Sequence, residues 1–310
     1  MAGKGRGQIA HLGSPAHHWV PFRGCVQQAR DIVEHAGVCE LGTKASRMPN
    51  APAGTNMAGP RFWASSRPST GKSRQRKPIM PQTVERTIHD VRFPNESREY
   101  RAARDRLLEA EIALRRQIEA VAAQRRALPT GGRVAQDYVF EEGDDARPVR
   151  MSELFGDKSV LLLYSYMYGP AMGQPCPSCT SILDGLDGQV HHIGQRAAVA
   201  AVARSPIARV RAVASERGWL RLRLLSSANN SYHRDYHGEN TKGEQLPILN
   251  VFTRAPDGSI RHAYATELLF APQEPGQNSR HVDTIWPLWG MLDLSPEGRG
   301  PDTQPKLRYD

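Results

Sequence analysis

Four residues of the 310-residue chain carry the plainest chemical signal: Cys176-Pro177-Ser178-Cys179. Two thiols separated by two residues can form and break a disulfide between themselves if the first sulfur is held where its anion is stabilised. The first turn of a helix provides that place, because its backbone N–H groups lack intrahelical partners and the helix dipole turns its positive end there. In such sites a thiol pKa drops from about 8.5 to between about 3.5 and 7.5. The spacing assigns Cys176 the attack on a disulfide and Cys179, on the same turn, the resolution of the mixed disulfide. Pro177 suits a first helical turn, where its missing N–H loses no hydrogen bond. A zinc reading needs two further ligands. His191 and His192 are adjacent to one another, and His233 and His237 fall in a loop-like stretch, so the sequence predicts no metal site and no bound cofactor.

The elements needed to hold such a pair can be read around it. Ser159 to Tyr168 (SVLLLYSYMY) is a buried central strand, with Tyr164, Tyr166 and Tyr168 on one face. Ile182, Leu183, Leu186, Val190 and Ile193 keep helical spacing, so a helix starts at or near Cys179. Further on, Ala197–Ala203 reads as a strand, Pro206–Arg217 as a helix and Leu220–Ser226 as another strand; this alternation implies parallel pairing. Ile248–Thr253 and Ser259–Ala265 flank Ala255-Pro256-Asp257-Gly258, a hairpin turn, and Val282–Leu294 is the closing helix. A βαβ unit followed by a β-hairpin is the thioredoxin-fold order. The expected architecture is therefore α/β and thioredoxin-like, a central mixed sheet flanked by helices. In that fold a cis proline ahead of the hairpin packs against the dithiol and exposes backbone to substrate. Leu246-Pro247 occupies that place, which makes the pair the candidate substrate-binding residues.

Ahead of this domain, Tyr100, Leu107, Leu114, Val121 and Leu128 recur at about helical spacing, predicting a helix from Asn95, as its cap, to Leu128, stopped by Pro129 and Gly131-Gly132. Acids and bases alternate on its polar face, which suits a docked extension or a homodimer contact. The net charge of +9 lies entirely in residues 1–79, with 12 Lys and Arg against 3 Asp and Glu, while the rest balances 29 against 29. With Gly, Pro and Ser abundant, residues 1–79 read as a disordered basic tail or a mis-assigned start. Residues 80–130 form the helical extension, 131–300 the thioredoxin-like domain and 301–310 a C-terminal tail. The excess charge is thus no argument for nucleic-acid binding. No apolar run reaches the roughly 20 residues of a membrane span, and no secretory signal is apparent, so a cytoplasmic setting is expected.

From about Arg98 to about Gly300 the chain resembles the thioredoxin-like family catalogued as domain of unknown function 899, described as predicted dithiol-disulfide oxidoreductases. The shared stretches are RRALP, DYVFEE, a YGP-containing loop before CPSC, AVARSPIARVRA followed by GW, and LDLSPEGRG. The resemblance implies a thioredoxin fold, a dithiol at Cys176 and Cys179 and no required metal. It leaves the substrate open between a protein disulfide and a small-molecule disulfide, with an unidentified reducing system as partner. Two departures limit it. The peroxiredoxin pattern P-x-x-x-[TS]-x-x-C is not met, since Gly169 and Gly173 stand at its Pro and Thr/Ser places, and Gln174-Pro175 replaces the Trp that precedes the thioredoxin motif. A thiol peroxidase and a redox-inert interaction module are the alternative readings.

Overall fold

The computed structural model describes residues 88–301 and 303–309, and these divide into two compact units at Gln124/Arg125. The basic segment 1–79 lies outside the described residues.

Of the first unit the described part is residues 88–124, dominated by helix α1, which runs Arg98–Arg126 and so ends just inside the second unit. Its cap is Ser97, whose Oγ accepts the Tyr100 N–H at 3.1 Å. The expected cap, Asn95, instead takes a positive φ of 62°, a left-handed conformation that turns the chain before the helix begins. The charge of the buried Arg101 is compensated by two carboxylates, Glu96 at 3.5 Å and Asp105 at 3.1 Å. Tyr100, Leu107 and Leu114 are exposed.

The second unit is built on one seven-stranded sheet. Its strands are β1 (Val139–Glu142), β2 (Arg147–Arg150), β3 (Val160–Ser165), β4 (Ala198–Ala203), β5 (Arg223–Ser226), β6 (Leu249–Arg254) and β7 (Ile260–Ala265), ordered β2-β1-β5-β4-β3-β6-β7. Strands β3, β4 and β5 are parallel, and every other pairing is antiparallel. The parallel pairs are joined by α3 (Pro177–Ile193) and α4 (Ile207–Arg217), with the short helix α2 (Met151–Leu154) ahead of β3. The order β4-β3-β6-β7, with a helical crossover followed by a hairpin, is that of a thioredoxin-like fold. Strand β2 was not anticipated: Arg147–Arg150 has no apolar alternation, and it forms as an edge strand paired only to β1.

Side chains alternate across the strands and build two cores. On one face Tyr164, Tyr166, Ala201 and Leu224 pack with both cysteines, with Ile182 and Leu183 of α3, and with Val210 of α4. On the other, Leu161, Leu163, Val202, Leu225 and Phe252 pack with Phe140, Phe155 and Tyr232. Gly218 ends α4 at φ 72°, the left-handed position where glycine carries no Cβ penalty. After the short helix α5 (Tyr232–Asp235), the expected closing helix is split: a 3₁₀ turn at Asp283–Ile285 precedes α6 (Pro287–Leu292), because Pro287 has no N–H to continue a helix and suits a first turn. The long strand expected through Tyr168 ends at Ser165, although Tyr166 N still donates to Val202 O at 2.8 Å.

Candidate active site

Helix α3 begins at the motif itself. Cys176 is its N-cap with extended backbone (φ −63°, ψ 123°), Pro177 opens the helix and Cys179 lies in the first turn. The chain leaves β3, passes Tyr166 and Met167 and loops back, so that Cys176 N donates to Met167 O at 3.0 Å. The Cys176 carbonyl accepts two bonds from Thr180, from its N at 3.0 Å and its Oγ1 at 2.9 Å; Tyr166 Oη sits 2.8 Å from that same Oγ1. The chain Tyr166–Thr180–Cys176 thus fixes the first cysteine's backbone against the end of the central strand. Neither cysteine is in a disulfide, and both are buried, at 4% and 1% relative exposure.

Burial pushes the Cys179 thiol well up, and the hydrogen bond and charge of the neighbouring Cys176 push it the same way, with only Tyr164 and a backbone contact opposing. Cys179 therefore holds its proton and shares it with Cys176. Tyr164 faces the pair from β3: burial, then the Cys179 thiol, holds its hydroxyl well above the usual phenol range. That hydroxyl is buried and closes no hydrogen bond of ordinary geometry.

Two anchors keep α3 in place. Asp187 Oδ1 accepts the Arg221 and Leu222 N–H groups, each at 2.8 Å, and Asp184 accepts Trp219 Nε1 at 2.9 Å and the Arg217 guanidinium. The loop before Cys176 is held from α4 and its lead-in. Ser205 N donates to Tyr168 O at 2.8 Å, Ser205 Oγ to Gly169 O at 3.1 Å, and the Arg209 guanidinium to the carbonyls of Pro170 and Met172. Motif spacing did not single out Tyr164, Thr180 or Arg209. The alternating tyrosines were the one usable sign, since they put Tyr164 and Tyr166 on the face the cysteines must share.

Leu246-Pro247 lies where the strand order brings it: the next residue, Ile248, accepts Ser165 N at 2.8 Å at the end of β3. The sequence order made Pro247 a candidate for a cis bond and left the isomer open. There is no cis peptide among the described residues, so Leu246–Pro247 is trans. The segment is fixed another way, with Leu246 N donating to Gly238 O at 2.8 Å and His281 Nε2 lying 2.7 Å from Pro247 O. A carbonyl only accepts, so Nε2 carries the proton and Ser279 Oγ, 2.8 Å from Nδ1, donates to the ring.

The opposite face of the sheet is polar at its end. His233 is fully buried with Nδ1 2.6 Å from Ser227 Oγ; its Nε2 and Ser165 Oγ have no hydrogen-bond partner. Gly238 passes so close that a Cβ there would lie 2.5 Å from the imidazole and 2.9 Å from Ser165 Oγ. Beside them is a cavity of about 720 Å³ lined by Tyr236, His237, Asn250, His262, Glu267 and Phe270, across the sheet from the dithiol. His191 and His192 are exposed near the far end of α3, and no group of three metal-ligating side chains occurs among the described residues. No described helix is long and apolar enough to cross a membrane.

The model for the family described as "Bacterial protein of unknown function (DUF899)" matches residues 91–309. No curated protein matches the chain. Among solved structures, peroxidoxin BcpB from Mycobacterium tuberculosis is similar at 19% identity over 51% of this chain and 94% of its own, with a TM-score of 0.34. The exposed lipoprotein thioredoxin Etrx1 of Streptococcus pneumoniae strain TIGR4 is similar at 13% identity over 48% of this chain and 98% of its own, with a TM-score of 0.31. Reduced 2-Cys peroxiredoxin from Plasmodium vivax is similar at 18% over 51% and 79%, with a TM-score of 0.35. At such scores the fold assignment rests on strand order and connections.

Proposed function

The chain belongs to the bacterial DUF899 family, and from the geometry of this member we propose a dithiol-disulfide oxidoreductase. One observation supports the reading above the others: Cys176 caps a 17-residue helix while Cys179 sits in its first turn, both packed beneath the tyrosines of the central strand. The helix terminus favours the Cys176 thiolate, and a protonated Cys179 donates to it. The Cys176 thiolate attacks one sulfur of a substrate disulfide; that S–S bond breaks and the departing sulfur takes a proton. Cys179, giving up its own proton, then attacks Cys176 Sγ and releases the second substrate thiol. Two electrons have passed to substrate, and the enzyme disulfide is returned to dithiol by an external thiol reductant. The loop Gly238–Pro247 supplies backbone beside the site for docking that substrate. No metal or bound cofactor enters these steps.

The test is the pH profile of alkylation at each cysteine, read by peptide mass spectrometry on the full chain, beside disulfide turnover. Cys176 is expected to react at lower pH than Cys179, and Cys176→Ser to lower turnover by about 10³-fold or more, as loss of a covalent nucleophile does. Equal reactivity of the two thiols, with turnover surviving Cys176→Ser, would overturn the reading.

A further inference from the structure

Most partly buried arginines of the second unit face carboxylates: Arg204 lies 3.3 Å from Glu239, Arg223 bonds Glu142, and Arg299 lies 2.7 Å from Asp293. Arg209 differs. Its guanidinium meets the Pro170 carbonyl at 3.1 Å, the Met172 carbonyl, Ser205 Oγ at 3.3 Å and the face of the Tyr168 ring at 4.5 Å, and among the described residues no carboxylate pairs with it. Carbonyl dipoles and a π-face leave a cation partly compensated, and the side chain retains some exposure. Its partners span Tyr168–Met172, the first part of the loop that ends at Cys176. That loop is further pinned at Gly169, where Ser205 holds the carbonyl on one side and the Gln245 side chain packs against the Cα. Gln245 itself is buried at 8% exposure, and its Oε1 has no partner. Cys176, where that loop ends, retains 4% exposure, so its sulfur is less accessible to a folded partner than to a small molecule.

Taking the oxidoreductase reading as its premise, we propose that Arg209 recognises a negatively charged group on a small disulfide substrate, and that the bound anion draws the guanidinium from the Pro170 and Met172 carbonyls and frees the loop over Cys176. A carboxylate offers Arg209 a charge-assisted, two-pronged partner in place of two neutral carbonyls, which is the stronger interaction. The substrate class is thus an anionic disulfide of low molecular mass, and Arg209 is its specificity-determining residue.

Alkylation tests this without turnover. Cys176 in the full chain is modified with iodoacetate, an anion, and with iodoacetamide, its neutral analogue, in the wild type, Arg209→Gln and Arg209→Lys. The iodoacetate-to-iodoacetamide rate ratio is expected to fall about fivefold or more in Arg209→Gln, the scale of one charge interaction near a surface, and by less in Arg209→Lys, which keeps the charge without the fork. With dithiothreitol as reductant, turnover of dithiodipropionate, an anionic disulfide, should exceed that of cystamine, a cationic one, and the preference should shrink in Arg209→Gln. A ratio equal in all three proteins, or one in which both reagents accelerate together, overturns the proposal and leaves Arg209 a loop tether. If neither reagent modifies wild-type Cys176 in preference to Cys179, the failure lies with the oxidoreductase reading itself.

Discussion

The two faces of the sheet carry different features, two thiols on one and a cavity on the other. Beneath one face the thiols of Cys176 and Cys179 lie among Tyr164, Tyr166, Tyr168 and Trp219. The other combines an aromatic core with buried polar pairs, Ser227 with His233 and Asn250 with His262, and opens into the cavity of about 720 Å³. Cavity size would send a search for function to the second face. On the first face a helix terminus, a strand end and the Met167 carbonyl converge on Cys176, and these position its backbone without needing a large cavity. Concavity and thiol placement are separate properties of this molecule: the cavity lies on one face of the sheet and the two cysteines on the other.

Three perturbations sharpen the contrast. The largest effect is structural: Phe252→Ala, on the polar face but fully buried, is expected to cost about 3–5 kcal/mol by denaturant unfolding, as loss of a packed aromatic does. A loss below about 1 kcal/mol would mean that this core is far looser than its burial indicates.

The second is a pH slope. Burial, with a smaller contribution from Arg204, pushes His233 down to about 3. The unfolded chain, with His near 6.5, binds a proton that the folded state refuses. Stability is therefore fully present above about pH 6.5 and falls as pH drops toward 3, by up to about 1.4 kcal/mol per pH unit from this group. Burial also lowers His262 and His281, which add in the same direction. His233→Gln should flatten the acid limb of a stability–pH curve whatever its effect at neutral pH, and an unchanged slope would remove the imidazole from the acid response.

The smallest effect on folding falls on the dithiol face. Tyr164→Phe removes a buried hydroxyl with no ordinary hydrogen bond, so its stability cost is expected below about 1 kcal/mol. Because that hydroxyl is among the few groups favouring the Cys179 thiolate, its loss should raise the pH at which Cys179 is alkylated and leave the Cys176 profile less affected. Equal movement of both profiles would make Tyr164 a packing residue only.

The sequence by itself determined the dithiol and the elements around it. A C-x-x-C between an apolar strand and a helical pattern encodes its own geometry locally, because residues three apart share one helical turn and Pro177 favours starting it there. The hairpin and the alternating tyrosines were legible for the same reason, being periodicities of 2 and 3.6 within short windows. Asn95 was a fair cap from residue type; the left-handed turn before α1 handed that role to Ser97. Only the tertiary structure decided what holds the segments around the pair. Arg209 comes from a helix beyond the next strand, Gln245 from a loop ahead of the hairpin and His281 from the final segment, and nothing in their spacing relative to Cys176 announces them. The trans Leu246–Pro247 bond belongs with these, since its surroundings are made by Gly238 and His281 and not by neighbours in sequence. Hydrogen bonds across such separations form only once the sheet is assembled, so local patterns hold no record of them.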